Sequence, residues 1–86
     1  MAKRILVVED VDDSRSILVM ILQRFCGYET IEATGTEAVE KALSEKPDLI
    51  LMDLGLPDIT GVDAAKALKG NLSTAHIPIV AHTHGR

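Results

Sequence analysis

Hydrophobic and polar positions follow one another in blocks along the chain, and each block has the length of one strand or one helix. Continuous apolar runs at Arg4–Val8 and Leu49–Met52 predict strands that are covered on both faces. Ile77–Ala81 predicts a further buried strand. Tyr28–Ala33 alternates polar with apolar residues, which is typical of a strand at the edge of a sheet.

Three helices are predicted between these strands, at Asp13–Cys26, Thr36–Glu45 and Val62–Lys69. A polar side chain among residues 12–14 is expected to cap the first helix, and Gly27 is expected to end it. Strands that alternate with helices through short connections predict an α/β protein with a doubly wound parallel sheet.

The amino-acid composition excludes some classes of function. The chain has 86 residues, which indicates one domain, and aromatic residues make up only 2% of it. So few aromatic side chains argue against a surface that stacks nucleic-acid bases, and the net charge of −4 argues against binding to a phosphate backbone. The single cysteine, Cys26, excludes an internal disulfide and fits a reducing compartment. The apolar run after Arg4 is too short for a signal peptide or a membrane span, so we expect a cytoplasmic protein.

Acidic residues follow two of the predicted strands. Glu9 and Asp10 come after the first strand, and Asp53 follows the third. Because ligands of open parallel sheets gather at the carboxyl ends of the strands, we expect these carboxylates to converge. Their mutual repulsion favours a hard divalent cation with oxygen ligands, and Mg²⁺ is the expected cofactor. Asp12 and Asp13 are assigned instead to a helix N-terminus, where negative charge is favourable.

Three stretches, ILVVEDVDDSR, PDLILMDLGLPDITG and HIPIVAHT, resemble the receiver domain of two-component response regulators in order and spacing. The resemblance runs from about Arg4 to Thr83. It implies a flavodoxin-like sheet of four strands in the order 2-1-3-4 with about three helices. It also implies a signalling module rather than an enzyme, with a histidine kinase or phosphotransfer protein as partner.

The same resemblance implies a role for each site residue. Glu9 and Asp10 correspond to the acidic pair that binds Mg²⁺, and Asp53 corresponds to the phosphoacceptor, which also binds the metal. The backbone carbonyl of Gly55 completes the metal site, and the hydroxyl of Thr83 bonds the phosphoryl group and senses its arrival.

The chain departs from the family pattern in two ways. The family carries a lysine at the end of a fifth strand, and no fifth strand or corresponding lysine follows Thr83 here. His84 stands where the family usually has a small residue. Both departures put intrinsic phosphotransfer in question. The usual last helix–strand–helix portion is also missing, so residues 1–86 are expected to form a single, C-terminally truncated receiver domain.

Without those elements, one sheet face and one side of the first helix are expected to be open. Residues 17–22 of that helix are all apolar. The stripe predicted to face the sheet comprises Ile17, Leu18, Ile21, Leu22 and Phe25. Val19 and Met20 are expected to point elsewhere, and a helix that is apolar on several sides is buried on several sides. We therefore expect a homodimer through Val19, Met20 and the open sheet face.

Two other functions stay open at this point. One is a phosphorylation-independent homodimeric interaction module that keeps the acidic site as a relic, which the missing lysine and His84 would favour. The other is a metal-dependent phosphatase with Asp53 as nucleophile, which is disfavoured because Gly55 occupies the position of a general acid. His82 and His84 share one face of an extended chain, but no third ligand is near them in sequence, so a zinc site is not expected.

Overall fold

A computed structural model describes residues 3–53 and 61–82, which form a four-stranded sheet flanked by three α-helices. The strands are β1 (Arg4–Val8), β2 (Glu29–Ala33), β3 (Leu49–Asp53) and β4 (Ile79–His82), and the helices are α1 (Asp12–Arg24), α2 (Ala38–Glu45) and α3 (Gly61–Lys69). The strand order is β2-β1-β3-β4, and every pair of neighbours is parallel. The doubly wound fold and the order 2-1-3-4 predicted from the sequence are both confirmed.

The two continuous apolar runs became the two central strands. In β1, Leu6 pairs with Ile31 of β2 on one side and with Ile50 of β3 on the other. Leu6 and Ile50 are fully buried. The alternating strand β2 lies at an edge, as its pattern predicted, because an edge strand meets solvent on more sides than a central one.

The main core lies between the sheet and the helices α2 and α3. Alternate strand residues point into it, since successive side chains of a strand face opposite sides of the sheet. Its buried members are Leu6, Val8, Ala33, Ala38, Ala42, Ile50, Met52, Ala64, Leu68 and Ile77. Small alanines on both helices let the helices approach the branched side chains of the strands closely. The core residues on this side are almost completely shielded from solvent, and the partly buried Ile31, Val39 and Ile79 pack against them.

Helix α1 covers the other face, where it lies against β2 and β1. The residues that it turns toward the sheet differ from those predicted. Leu18, Val19 and Leu22 are half-buried, whereas Ile17, Met20, Ile21 and Phe25 are exposed, and no residue of α1 is fully buried. The predicted stripe was therefore wrong for Ile17, Ile21 and Phe25, and Val19 does not point away from the sheet.

The reason for this error is that six consecutive apolar residues cover every direction around a helix. The inward stripe comprises Arg15, Leu18, Val19 and Leu22, which follow the spacing i, i+3, i+4, i+7. Its first member is charged, so a search for apolar residues alone selects a stripe that is rotated around the helix axis.

The ends of α1 also differ from the prediction. The residue at the N-cap is Val11, which offers no side-chain cap, so the expected cap from residues 12–14 was wrong. At the other end, the helix stops at Arg24 with Phe25 as its C-cap, two residues before the predicted Cys26. Gly27 follows with a positive φ of 73°, which favours glycine. The amide of Tyr28 donates to the carbonyl of Leu22 at 3.0 Å.

The connection from β2 to α2 is a tight 3₁₀ turn at Gly35–Glu37, so α2 begins two residues later than the predicted Thr36. Thr34 and Glu37 form a capping box, in which each side chain accepts a hydrogen bond from the other residue's backbone N–H. The Glu37 carboxylate accepts from the amide of Thr34 at 2.9 Å. This bond favours the charged form and lowers the pKa of Glu37.

Strand β4 likewise begins later than predicted, at Ile79 rather than Ile77. The amide of Ile77 donates to the carbonyl of Thr74 at 3.0 Å and therefore belongs to the preceding turn. Lys69 holds that turn, because its Nζ donates to the carbonyls of Ala75 at 3.1 Å and Ile77 at 2.9 Å. This amine is thus engaged at the amino end of the sheet.

Candidate functional site

Glu9 and Asp53 stand at the carboxyl ends of the two central strands. They directly follow Val8 and Met52, which are paired across β1 and β3, so the two backbones end side by side. Both acidic residues are fully buried. Burial of a carboxylate is costly unless hydrogen bonds or a cation compensate it, so this arrangement is characteristic of a binding or reaction site.

The end of β1 is held by the chain around it. The amide of Glu9 donates to the carbonyl of Ala33 at 3.0 Å, which extends the pairing with β2 by one residue. The Oε2 atom of Glu9 accepts from the amide of Val11 at 3.2 Å. These bonds fix the direction in which the chain leaves the strand.

Asp10 is oriented toward the β2–α2 connection. Its Oδ1 atom accepts from the amide of Gly35 at 2.7 Å. Its Oδ2 atom is buried and accepts no hydrogen bond within the described residues. One carboxylate oxygen is therefore anchored, and the other remains available to a ligand.

The predicted Mg²⁺ site can be tested for fit on these residues. Within residues 3–53 and 61–82, no three His, Cys, Asp or Glu side chains are grouped so that they could hold one ion together. Mg²⁺ commonly uses only one or two carboxylates with water completing its shell, so a complete protein cage is not required. The buried Oδ2 of Asp10 and the buried carboxylates of Glu9 and Asp53 are donors of the type that this ion prefers. The donor chemistry therefore fits the ion, whereas the predicted convergence of all three carboxylates is not found among the described residues.

Four residues of interest lie outside the described part of the chain: Gly55, Asp58, Thr83 and His84. The predicted metal-ligand role of Gly55 and the predicted sensing role of Thr83 remain predictions. The backbone of His82 pairs with Asp53 at the ends of β4 and β3. Asp53 therefore has β1 on one side and the end of β4 on the other.

Sequence reasoning missed Arg15. Its guanidinium donates to the carbonyl of Glu9 at 2.8 Å, to the carboxylate of Asp12, and to Glu32 Oε1 at 3.1 Å. The hydrogen bond to Asp12 is the main cause of a raised pKa for Arg15. The sequence did carry a signal for this inward position. Arg15 follows Asp12 by three residues and shares one helical stripe with Leu18 and Leu22.

A small cleft of about 220 Å³ lies beside this arginine, and Arg15, Glu32, Ala33, Thr34 and Glu37 line it. A second depression, of about 240 Å³, lies at the opposite end of the sheet and is lined by Lys3, Ile5, Tyr28, Asp48 and Leu49. The acidic residues at the ends of the central strands line neither of them.

The sequence model of the response regulator receiver domain matches residues 5–86. The chain belongs to this family, and it is a receiver domain of two-component signalling. The parallel sheet and the acidic residues at the ends of its central strands are the features that the family predicts. None of the described helices is long and apolar enough to cross a membrane.

Among curated relatives, the chain is 38% identical over 84 residues to the polar-differentiation response regulator DivK of Brucella ovis and to that of Brucella abortus. The match covers 96% of this chain and 68% of each relative.

Solved structures agree in fold. The receiver domain of the sensor histidine kinase PA1611 from Pseudomonas aeruginosa, with a magnesium ion coordinated in its active-site cleft, superposes with a TM-score of 0.86 at 30% identity. That match covers 94% of this chain and 66% of the other. The chemotaxis response regulator CheY4 of Vibrio cholerae gives 0.86 at 30% identity over 94% of this chain and 68% of its own. The chain therefore spans about two thirds of the length of these relatives.

Proposed function

We propose that Asp53 accepts a phosphoryl group from a histidine kinase or a phosphotransfer protein, with Mg²⁺ bound by Glu9, Asp10 and Asp53. The observation that carries this proposal is the burial of Glu9 and Asp53 side by side at the ends of the two central strands. The magnesium ion in the cleft of the Pseudomonas receiver domain supports the choice of metal.

In the proposed reaction, a carboxylate oxygen of Asp53 attacks the phosphorus of a phosphohistidine. A new O–P bond forms while the N–P bond breaks, and the imidazole leaves with the electron pair of that bond. Bound Mg²⁺ supplies positive charge that offsets the phosphoryl oxygens and the surrounding carboxylates. The protein's own contribution is to fix the direction of Asp53 and to keep the anchored oxygen of Asp10 in place.

The backbone carbonyl of Gly55 would complete the metal site, and the hydroxyl of Thr83 would bond the transferred group. Both assignments come from the family motif. The proposal makes the chain a signalling module that is changed by phosphorylation rather than an enzyme with a substrate of its own. It places the module in the cytoplasm, and the exposed thiol of Cys26 fits a reducing compartment.

The same proposal includes a second copy of the chain as a partner. The outer side of α1 exposes Ile17, Met20 and Ile21, and Val80 of β4 is exposed on the sheet. The predicted interface is therefore moved away from Val19, which is half-buried, but it keeps Met20. An apolar surface of this kind is suited to pairing with an identical surface around a two-fold axis.

The decisive experiment incubates the full chain with Mg²⁺ and beryllofluoride or acetyl phosphate. Ligation is followed by fluorine NMR, and the phosphoryl adduct is followed by intact mass spectrometry. We expect both signals in the wild type and neither in Asp53→Asn. Asp63→Asn removes an exposed aspartate on α3 and should retain both.

A wild-type chain that shows neither signal at saturating Mg²⁺ would refute the phosphoacceptor role. Sedimentation under the same conditions would then address the alternative function. A homodimer that forms without any reaction at Asp53 would indicate a phosphorylation-independent interaction module with a relic acidic site.

A further inference from the structure

Arg15 connects three separate elements at the acidic end of the sheet. Its Nη1 atom donates to the carbonyl of Glu9 just after β1, and its Nη2 atom donates to Asp12 in the first turn of α1. Its Nε atom donates to Glu32 in β2 at 3.1 Å. A guanidinium has a rigid fork of donors, so three simultaneous bonds fix the relative positions of the groups that accept them.

The position of this side chain is unusual for a charged residue on a surface helix. Only 17% of the Arg15 side chain is exposed, and it shares the inward stripe with Leu18, Val19 and Leu22. Exposed ion pairs contribute little to stability, and Asp12 and Glu32 are themselves largely exposed. The contact with a backbone carbonyl is the part of this network that reaches the acidic site.

The carbonyl of Glu9 belongs to the peptide that joins Glu9 to Asp10. Because a peptide unit is planar, a bond that fixes its oxygen also restricts the direction in which Asp10 leaves. The side chain of Asp10 is held by the amide of Gly35. Arg15 and Gly35 thus hold the acidic pair at two points, one on its backbone and one on the Asp10 carboxylate.

The charges around Arg15 suit a supporting role. Asp12 and Glu32 offset its positive charge, which a guanidinium keeps at every accessible pH. The guanidinium reaches the acidic residues through a backbone oxygen, and its two carboxylate partners lie outside the Glu9–Asp53 pair. It can therefore support these residues without replacing a metal ion as their counter-charge.

We propose that Arg15 is a positioning residue, which fixes the peptide between Glu9 and Asp10 so that Asp10 can bind Mg²⁺. The metal-binding part of this inference rests on the proposed function, whereas the positioning part does not. Residues that orient metal ligands typically change metal affinity about 10- to 100-fold when they are mutated.

The first test needs no metal. Hydrogen exchange of individual amides is measured by NMR in the wild type and in Arg15→Gln. We expect the Gly35 amide, which donates to Asp10, to lose about tenfold in protection, because its acceptor is no longer held. The Ile50 amide, which donates to the carbonyl of Pro78, should be unchanged.

Arg4→Gln is a matched control. Arg4 also donates to one backbone carbonyl and one carboxylate, both of Glu45, but it does so at the opposite end of the sheet. This variant should leave the protection of Gly35 at its wild-type value. Equal losses at Gly35 and Ile50 in Arg15→Gln would indicate general destabilisation and would overturn the positioning role.

The second test measures the dissociation constant of Mg²⁺ by calorimetry. We expect it to rise about tenfold in Arg15→Gln and to stay unchanged in Arg4→Gln. Arg15→Lys keeps the charge but lacks the fork of donors. Its dissociation constant for Mg²⁺ should therefore lie between those of the wild type and Arg15→Gln. This variant also serves if Arg15→Gln fails to fold.

The two tests separate the inference from the function on which it partly rests. A wild type that binds no Mg²⁺, combined with selective loss of protection at Gly35, would refute the metal site and leave the positioning role intact. Unchanged protection and unchanged affinity in both Arg15 variants would refute the positioning role and leave the metal site intact.

Discussion

The sheet face under α2 and α3 and the sheet face under α1 receive apolar side chains from the same strands, yet they are covered very differently. On the first face, Leu6, Ile50 and Met52 are fully buried beneath two helices. On the second, no residue of α1 is fully buried, and Val80 of β4 is 47% exposed. The α1 face also has a buried residue, Val7, which alternates with Leu6 and Val8 along β1. The two faces therefore differ in how well their helices are buried: the α2–α3 face is the more tightly packed, and the α1 face leaves apolar side chains exposed.

The N-terminal ends of the helices on these two faces also differ in how they are capped. The 3₁₀ turn that leads into α2 begins with a reciprocal capping box between Thr34 and Glu37. Val11, the N-cap residue of α1, provides no side-chain cap. The start of α1 is held instead by Arg15, whose bonds also support the acidic site. The contacts that hold the start of each helix therefore lie beside the core on one face and beside the candidate functional site on the other.

The largest expected effect comes from identical truncations on the two faces. Ile50→Ala removes a fully buried side chain and should lower the free energy of unfolding by about 2–5 kcal/mol. Ile17→Ala removes a side chain that is 54% exposed, and it should cost no more than about 0.5 kcal/mol. Urea unfolding of dilute protein measures both values.

Because the domain is small, Ile50→Ala can fail to fold, and Ile50→Val then provides a milder comparison at about 0.5–1.5 kcal/mol. Ile17→Val is its matched control and should be neutral. Equal losses at the two positions would mean that the α1 face is as much a core as the other, and the comparison would be wrong.

An intermediate effect is expected on association. Met20 is 46% exposed on the outer side of α1, and Met20→Glu would place like charges opposite each other in a two-fold interface. Such a juxtaposition costs several kcal/mol, so the dimer should weaken on the order of 100-fold. Sedimentation velocity over a range of protein concentrations measures the change.

Leu72→Glu is the control for this prediction, since Leu72 is 96% exposed in the turn between α3 and β4 and belongs to neither face. This variant should associate like the wild type. If Met20→Glu and Leu72→Glu sediment alike, α1 is not the interface.

The smallest effect concerns the capping box and its dependence on pH. The amide of Thr34 lowers the pKa of Glu37 in the folded state below its ordinary value of 4.5. The charged carboxylate therefore stabilises the fold fully above pH 4.5, and this contribution is lost as the pH falls through the folded pKa. Glu37→Gln keeps an acceptor but cannot ionise, so it should lose less stability on acidification than the wild type does.

Urea midpoints of both proteins between pH 7 and pH 3 test this sign. Glu40→Gln, which changes an exposed glutamate on α2, serves as the control and should follow the wild-type curve. If the urea midpoints of the wild type and of Glu37→Gln fell in parallel as the pH is lowered, the capping box would contribute no charge-dependent stability.

Much of the fold followed from the sequence because the strands carry strong signals. The continuous apolar runs in β1 and β3 identified the central strands, and the alternation in β2 identified an edge. Element ends were less predictable. Ile77 is apolar enough for a strand, but its amide belongs to a turn that Lys69 and Thr74 organise, and such turn contacts leave no periodic pattern.

The candidate site was predictable to a different extent. The acidic residues Glu9 and Asp53 could be placed together, because parallel strands bring their carboxyl ends to one edge of a sheet. The anchoring of Asp10 by Gly35 could not be foreseen, since it joins residues 25 positions apart through a backbone amide.

The sequence by itself determined the order of strands and helices, the apolar content of the central strands and the acidic ends of two of them. Only the tertiary structure decided how α1 is rotated. Residues 17–22 are apolar in every direction, so their pattern carries no preference for one face. In the folded chain Arg15 lies inward, where it donates to the Glu9 carbonyl just after β1 and to Glu32 of β2, while Ile17 and Met20 lie outward. These acceptors are brought together only by strand pairing, so no local pattern in the helix could show which face turns inward.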